Sequence, residues 1–240
     1  ELRQYEASFE LSGKALVRNC RPLFELLGDF LLTPDFSDLL RLHKVLNQMQ
    51  VSLENSVPQS GHTYAARMAA AGLSPAGQLR EQWSGLSLIA LVRELAARPV
   101  EQLAGLAAMM DSIARDLFQQ ARLQLAITVE EAHFPSFQRA LDGLLAQLVC
   151  APLTATRPID PFVVAPQRQG LIWSLPVQYV TRVFRAVPYA HADSAPLTVL
   201  ARLLRAEFLH REIREKGGAY GGLAGYNAGG GIFSLLSYRD

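Results

Sequence analysis

Apolar and polar side chains alternate from Tyr5 to Leu11, with Phe9 and Leu11 on one side and Ser8, Glu10 and Ser12 on the other. That is the period of a half-buried strand, and Gly13 ends it. From Asn19 the period lengthens. Cys20, Leu23, Phe24, Leu27, Phe30 and Leu31 fall on one helical stripe, opposite Arg18, Arg21, Glu25 and Asp29. Asn19 is placed to cap this helix, and Pro22 lies in its first turn, where a missing N–H costs nothing. Thr33-Pro34-Asp35 breaks it. Ser37 is positioned to cap the next helix, whose inward stripe is Leu39, Leu42, Leu46, Met49 and Leu53.

Shorter helices follow from His62 to Gln120, punctuated by Gly72-Leu73-Ser74-Pro75, Ser84-Gly85 and Arg98-Pro99. Leu123–Val129 has strand character, and Phe137–Val149 returns to helix. Between Ala151 and Gly170, Pro152, Pro158, Pro161 and Pro166 forbid a continuous helix or central strand. An inter-domain linker over 151–169 is the expected reading, separating a mainly helical segment, 1–150, from a mixed one, 170–240. In the latter, Leu171–Val187 suits one bent strand or two. Pro196 opens a helix to about Ile213, with Leu197, Leu200, Leu204 and Phe208 inward and Arg202, Arg205 and Glu212 outward. Ile232–Tyr238 is a final strand. Helices and antiparallel-type strands in blocks predict an α+β protein.

Half of the 240 residues are hydrophobic, enough for one large or two modest folded domains, and the net charge of +1 shows no nucleic-acid footprint. No apolar run reaches the roughly 20 residues that span a bilayer. Cys20 and Cys150, far apart, form no disulfide scaffold and no zinc knuckle, and both read as reduced core residues. The five histidines, His43, His62, His133, His191 and His210, form neither HExxH nor HxxEH. Glu130-Glu131-Ala132-His133 has no second histidine nearby and reads as a solvated charge run.

The glycine-rich segment Gly217–Gly231 lacks GK[ST] and follows a helix, whose C-terminal carbonyls repel phosphate. Gly217 and Gly218 are expected to form a C-cap turn, with later glycines in a strand hairpin. One feature goes beyond that. Arg214 falls in the last helical turn and Tyr220 six residues on, at the start of the next strand. A tight reversal there aims both into one space, where an Arg fork holds peptide carbonyls or a carboxylate and a Tyr hydroxyl donates to an oxyanion. A helix-end arginine serving only the helix dipole is the plainer alternative.

The stretch Leu209-His210-Arg211-Glu212-Ile213-Arg214-Glu215-Lys216-Gly217-Gly218-Ala219-Tyr220-Gly221 resembles the C-terminal-half signature of the pitrilysin/insulinase clan (peptidase family M16) of zinc metallopeptidases. It is most similar to the presequence-protease branch, subfamily C of that family. Leu11–Leu16, Thr33–Asp38, Leu53–Ser56, Ser60–Ala65 and Leu73–Ala76 are similar to the region ahead of that signature. The resemblance implies four homologous α+β domains in two halves that close around a chamber. Residues 1–150 are then part of the third domain, the one associated with subfamily C, and 170–240 the first part of the fourth. The chain thus reads as an internal piece.

The resemblance further implies that Arg214 and Tyr220 hold the substrate backbone and stabilise the tetrahedral intermediate, with Tyr220 as the catalytic residue. It places the zinc and the general base in the N-terminal half of the same protein, so the chain alone is expected to bind no zinc and to be inactive. Its expected partners are a short unfolded peptide substrate and that N-terminal half, with no nucleic acid and no membrane. The implied compartment is the cytoplasm if bacterial, or the lumen of a mitochondrion or plastid if eukaryotic. A catalytically silent structural or partner subunit of the same family, and a peptide-binding module using an open sheet edge, are the alternative readings.

Overall fold

Backbone breaks at proline, glycine and serine set the helix boundaries. The computed structural model describes residues 7–150, 162–166 and 168–239. In chain order they form α1 (Cys20–Leu32), α2 (Leu39–Ala71), α3 (Pro75–Ser84), α4 (Leu86–Ala96), α5 (Ala104–Leu117) and α6 (Phe134–Leu145). Then follow β1 (Thr181–Arg185), α7 (Ser194–Leu203), a π-helical segment (Leu204–Lys216), β2 (Gly222–Asn227) and β3 (Ile232–Ser237). The architecture is α+β.

Local chemistry explains most of these limits. The Asp38 carboxylate accepts from the Arg41 N–H at 2.9 Å, so Asp38, one residue after the expected Ser37, caps α2. Ser74 caps α3 by accepting from the Gly77 N–H at 3.1 Å, with Pro75 in the first turn. Asn19 precedes α1 without a side-chain cap bond, because a 3-10 turn over Val17–Asn19 leads into the helix instead. Within α2, Pro58 cannot donate its N–H, and two residues later Ser60 leaves helical geometry (φ −120°, ψ 19°). The helix is kinked there. Tyr179 Oη donates to the Pro58 carbonyl at 2.5 Å.

The chain forms two compact units, and they do not follow the division at 151–169. One holds Leu46–Ala97 together with the described residues from 162 onward; the other holds Ser8–Val45 with Arg98–Cys150. Of the proline-rich stretch, 151–161 lie outside the described residues. Ala165, near its end, donates its N–H to the Gly72 carbonyl at 3.0 Å and so belongs to the first unit.

The first unit is built on Val57, Tyr64 and Ile89, against which Leu53, Leu86, Trp173 and Leu175 pack. The Glu81 carboxylate is buried and accepts from both the N–H (3.0 Å) and the hydroxyl (2.5 Å) of Ser87, which removes the penalty of an unpaired group between α3 and α4. Its sheet is antiparallel in the order β1-β3-β2, with Thr181 opposite Leu236 and Gly222 opposite Ser237. In the second unit Phe24 meets Phe137 edge-on at 4.8 Å, and Phe9, Phe30 and Phe118 form a ring cluster at 5.7–6.1 Å.

Three strand expectations need correction. Of Tyr5–Leu11, the described residues 7–11 are irregular, and Phe9 is in an aromatic cluster rather than on a sheet face. Leu123–Val129 is also irregular. In both places alternation is present, yet no strand lies alongside among the described residues to complete a ladder. Of Leu171–Val187, only Thr181–Arg185 is strand, because it is the part that runs in register along β3. Cys150 is exposed rather than in the core, while Cys20 is half-buried, and both are free.

Candidate functional site

The site lies at the end of the helix that begins with α7. The expected α-helix to Ile213 is instead α-helical only to Leu203, then closes i→i+5 from Leu204 to Lys216. The wider turn shifts the inward stripe. Phe208, expected inward, is 53% exposed, whereas Leu209 and Ile213 cover Gly222 of β2, where an added Cβ would sit 2.7 Å from Ile213 Cδ1. Residues four and five apart now share a face, which brings Arg205, His210 and Arg214 to one groove.

Gly217 and Gly218 end the segment. The N–H of Gly218 bonds the Arg214 carbonyl and that of Ala219 the Ile213 carbonyl, both at 3.2 Å, a Schellman-like cap widened by one residue. Gly218 has φ +71°, and a Cβ on Gly217 would lie 2.6 Å from the Ile213 oxygen. Each position therefore asks for glycine for its own reason. Gly218→Ala is expected to lower stability by about 1–2 kcal/mol, the cost of left-handed backbone for an L-residue. Urea unfolding checks it, and an unchanged midpoint would contradict the strained turn.

The reversal sets Tyr220 beside Arg214, with the guanidinium carbon 5.7 Å from the ring centroid. Neighbouring acids are committed elsewhere. Glu212 takes Lys216 at 2.9 Å and Arg211 at 3.1 Å, and Glu215 approaches His210 Nδ1 at 3.3 Å. Lys216 above all holds the Glu212 carboxyl below the ordinary glutamate range. Among the described residues no carboxylate pairs with Arg214, and the Tyr220 hydroxyl makes no hydrogen bond. Both donors are thus uncommitted among the described residues. Tyr220 is 59% exposed.

Together they border an open groove of about 690 Å³, lined also by Arg202, Arg205, His210 and Tyr238. The positive side chains and two phenols favour a ligand rich in carbonyl or carboxylate oxygens. The groove does not fit a metal. Among the described residues no three His, Cys, Asp or Glu side chains converge on a common point, so no chemical step is assigned to a metal within this chain.

Residues 1–95 match the family described as associated with subfamily C of the M16 peptidases. The whole chain is 32% identical to the mitochondrial presequence protease of Danio rerio, covering 25% of that protein. Across 98% of its length it is 34% identical to the mitochondrial presequence protease of Yarrowia lipolytica, covering 24% of it. The chain is presequence-protease-like, similar along its whole length to these M16 peptidases. The mitochondrial presequence protease of Mus musculus is 28% identical over the full chain, which covers 26% of it. The chain thus spans about a quarter of the length of these presequence proteases.

Within this presequence-protease-like chain, the groove residues Arg202, Arg205, His210 and Tyr238 are not evident from the sequence. Arg202 and Arg205 read as outward solvated positions on an ideal α-helix. The spacing of four from Arg202 through Ala206 and His210 to Arg214 is the one signal the sequence offers. Tyr238 emerges only from the hairpin register, which places its N–H on the Gly221 carbonyl at 3.0 Å, next to Tyr220.

Proposed function

We propose that this chain is the substrate-binding part of a zinc-dependent endopeptidase that degrades short unfolded peptides. Arg214 holds carbonyl oxygens of the peptide backbone through its fork of N–H donors. Tyr220 donates its hydroxyl to the oxygen on which charge develops in the tetrahedral intermediate. Zinc ligands and general base belong, in this reading, to the N-terminal half of the same protein. The observation that carries the reading is the juxtaposition of two uncommitted donors, Arg214 and Tyr220, on one side of a groove, within a presequence-protease signature. Relatives matching this chain are named mitochondrial, and in a eukaryote we place this protein in an organelle interior.

The test uses the full-length protein and an unfolded fluorogenic peptide. Cleavage is expected, to be lost on chelation, and to return on adding zinc. Peptide binding without cleavage by freshly purified, zinc-loaded protein would instead identify a catalytically silent member of the clan.

A further inference from the structure

We propose that Tyr238 and His62 are positioning residues for Tyr220, transmitting the kink of α2 to the groove through a chain of aromatic contacts. This rests on the role proposed above for Tyr220. The chain of contacts runs within one compact unit. His62, four residues after Pro58, presents its ring edge-on to Tyr238, with centroids 4.9 Å apart and planes at 82°. Tyr238 in turn lies 5.3 Å from the ring of Tyr220, which also meets the Arg214 guanidinium.

Two further features give this chain of rings a purpose beyond filling space. Tyr220 is mostly exposed, six residues past Arg214 on a glycine reversal, so its own turn does not hold the phenol in place. Tyr238 supplies that hold twice, by its ring and by its N–H on the Gly221 carbonyl. Behind Tyr238 stands the kinked part of α2. Tyr179 is tied to the Pro58 carbonyl, touches both His62 and Tyr238 at ring distances of 6.1 and 6.5 Å, and occupies the space that a side chain at Gly61 would need. His62 Nδ1 is buried without a hydrogen-bond partner among the described residues, and burial depresses its basicity. The imidazole, packed between Tyr179 and Tyr238, acts there as an aromatic wall. The aromatic pairing geometry is directional, which suits orientation of the next ring.

The test is a mutant cycle in the full-length protein with an unfolded fluorogenic peptide. Tyr238→Ala and His62→Ala are each expected to lower kcat about 10- to 100-fold, the scale of a catalytic group displaced by about an ångström, with KM moving much less. Tyr238→Phe and His62→Phe, which keep a ring, should recover most of that loss. In a Tyr220→Ala background, Tyr238→Ala should cost nothing more. Circular dichroism and thermal melting check folding, and Tyr238→Leu replaces Tyr238→Ala if the latter does not fold. Undiminished kcat in Tyr238→Ala, or the same fold-loss with and without Tyr220, would overturn the positioning role alone. Full activity of Tyr220→Ala itself would overturn the proposed function, and this inference with it.

Discussion

Arg214→Ala in the full-length protein is expected to lower kcat/KM toward an unfolded peptide by about one to three orders of magnitude. The upper part of that range corresponds to about 2.7–4 kcal/mol, the measured worth of a single preorganised transition-state donor. The guanidinium is uncommitted among the described residues, since Glu212 and Glu215 take Lys216, Arg211 and His210. Its removal breaks no internal ion pair among the described residues, so under the proposed role the loss is one of contacts to the substrate. Arg214→Lys should recover little, because an ammonium point charge cannot reproduce a planar fork. Tyr220→Phe provides the complement: it keeps the ring against Arg214 and deletes only the hydroxyl. If that hydroxyl meets the developing oxyanion, kcat falls and KM stays, whereas Arg214→Ala also raises KM. Steady-state kinetics on the three variants decide it, and full activity in both Arg214→Ala and Tyr220→Phe would end the assignment.

The second large effect is on stability. Ile89 is 2% exposed and touches the Val57–Tyr64 face of α2. Ile89→Ala is expected to destabilise the protein by about 2–5 kcal/mol, through lost burial plus a residual cavity. That compares with a total stability of about 5–15 kcal/mol for a folded domain. Urea unfolding followed by circular dichroism should show a lower midpoint with an unchanged slope. By contrast, the Glu54–Arg93 pair at 2.9 Å stands partly in solvent on both sides, where water screens it, and its loss should barely move the midpoint. If Ile89→Ala shifted the midpoint no more than Arg93→Ala does, the first unit would not depend on this contact.

The sequence was most legible where structure is decided by neighbours in the chain. Gly72–Pro75, Ser84-Gly85 and Arg98-Pro99 all fall at helix ends, because proline geometry and capping act within a few residues. The closeness of Arg214 and Tyr220 was legible for the same reason: a short glycine reversal joins them. Strands were harder. Tyr5–Leu11 and Thr181–Arg185 both read as extended, yet the described residues 7–11 pair with no strand while Thr181–Arg185 does, and partners are remote in sequence. The π segment was hidden because a stripe drawn at α-helical spacing puts Phe208 inward, whereas the wider closure turns Leu209 and Ile213 to the sheet. Tyr238 joined the site through a hairpin register, which is set by the turn between β2 and β3 rather than by the residues around it.

The sheet order β1-β3-β2 also divides the site by how readily each part opens. β3 is laddered on both sides, and amides of such a strand become accessible only when much of the unit unfolds. Tyr220 is tied to the end of that strand through Tyr238 and Gly221. Arg214 instead stands on the exposed final turn of the π segment, held by two long hydrogen bonds of 3.2 Å at its cap. The two halves of the proposed site therefore differ in anchorage: the phenol is tied to a strand that opens only with the unit, and the guanidinium stands on a turn that can fray locally.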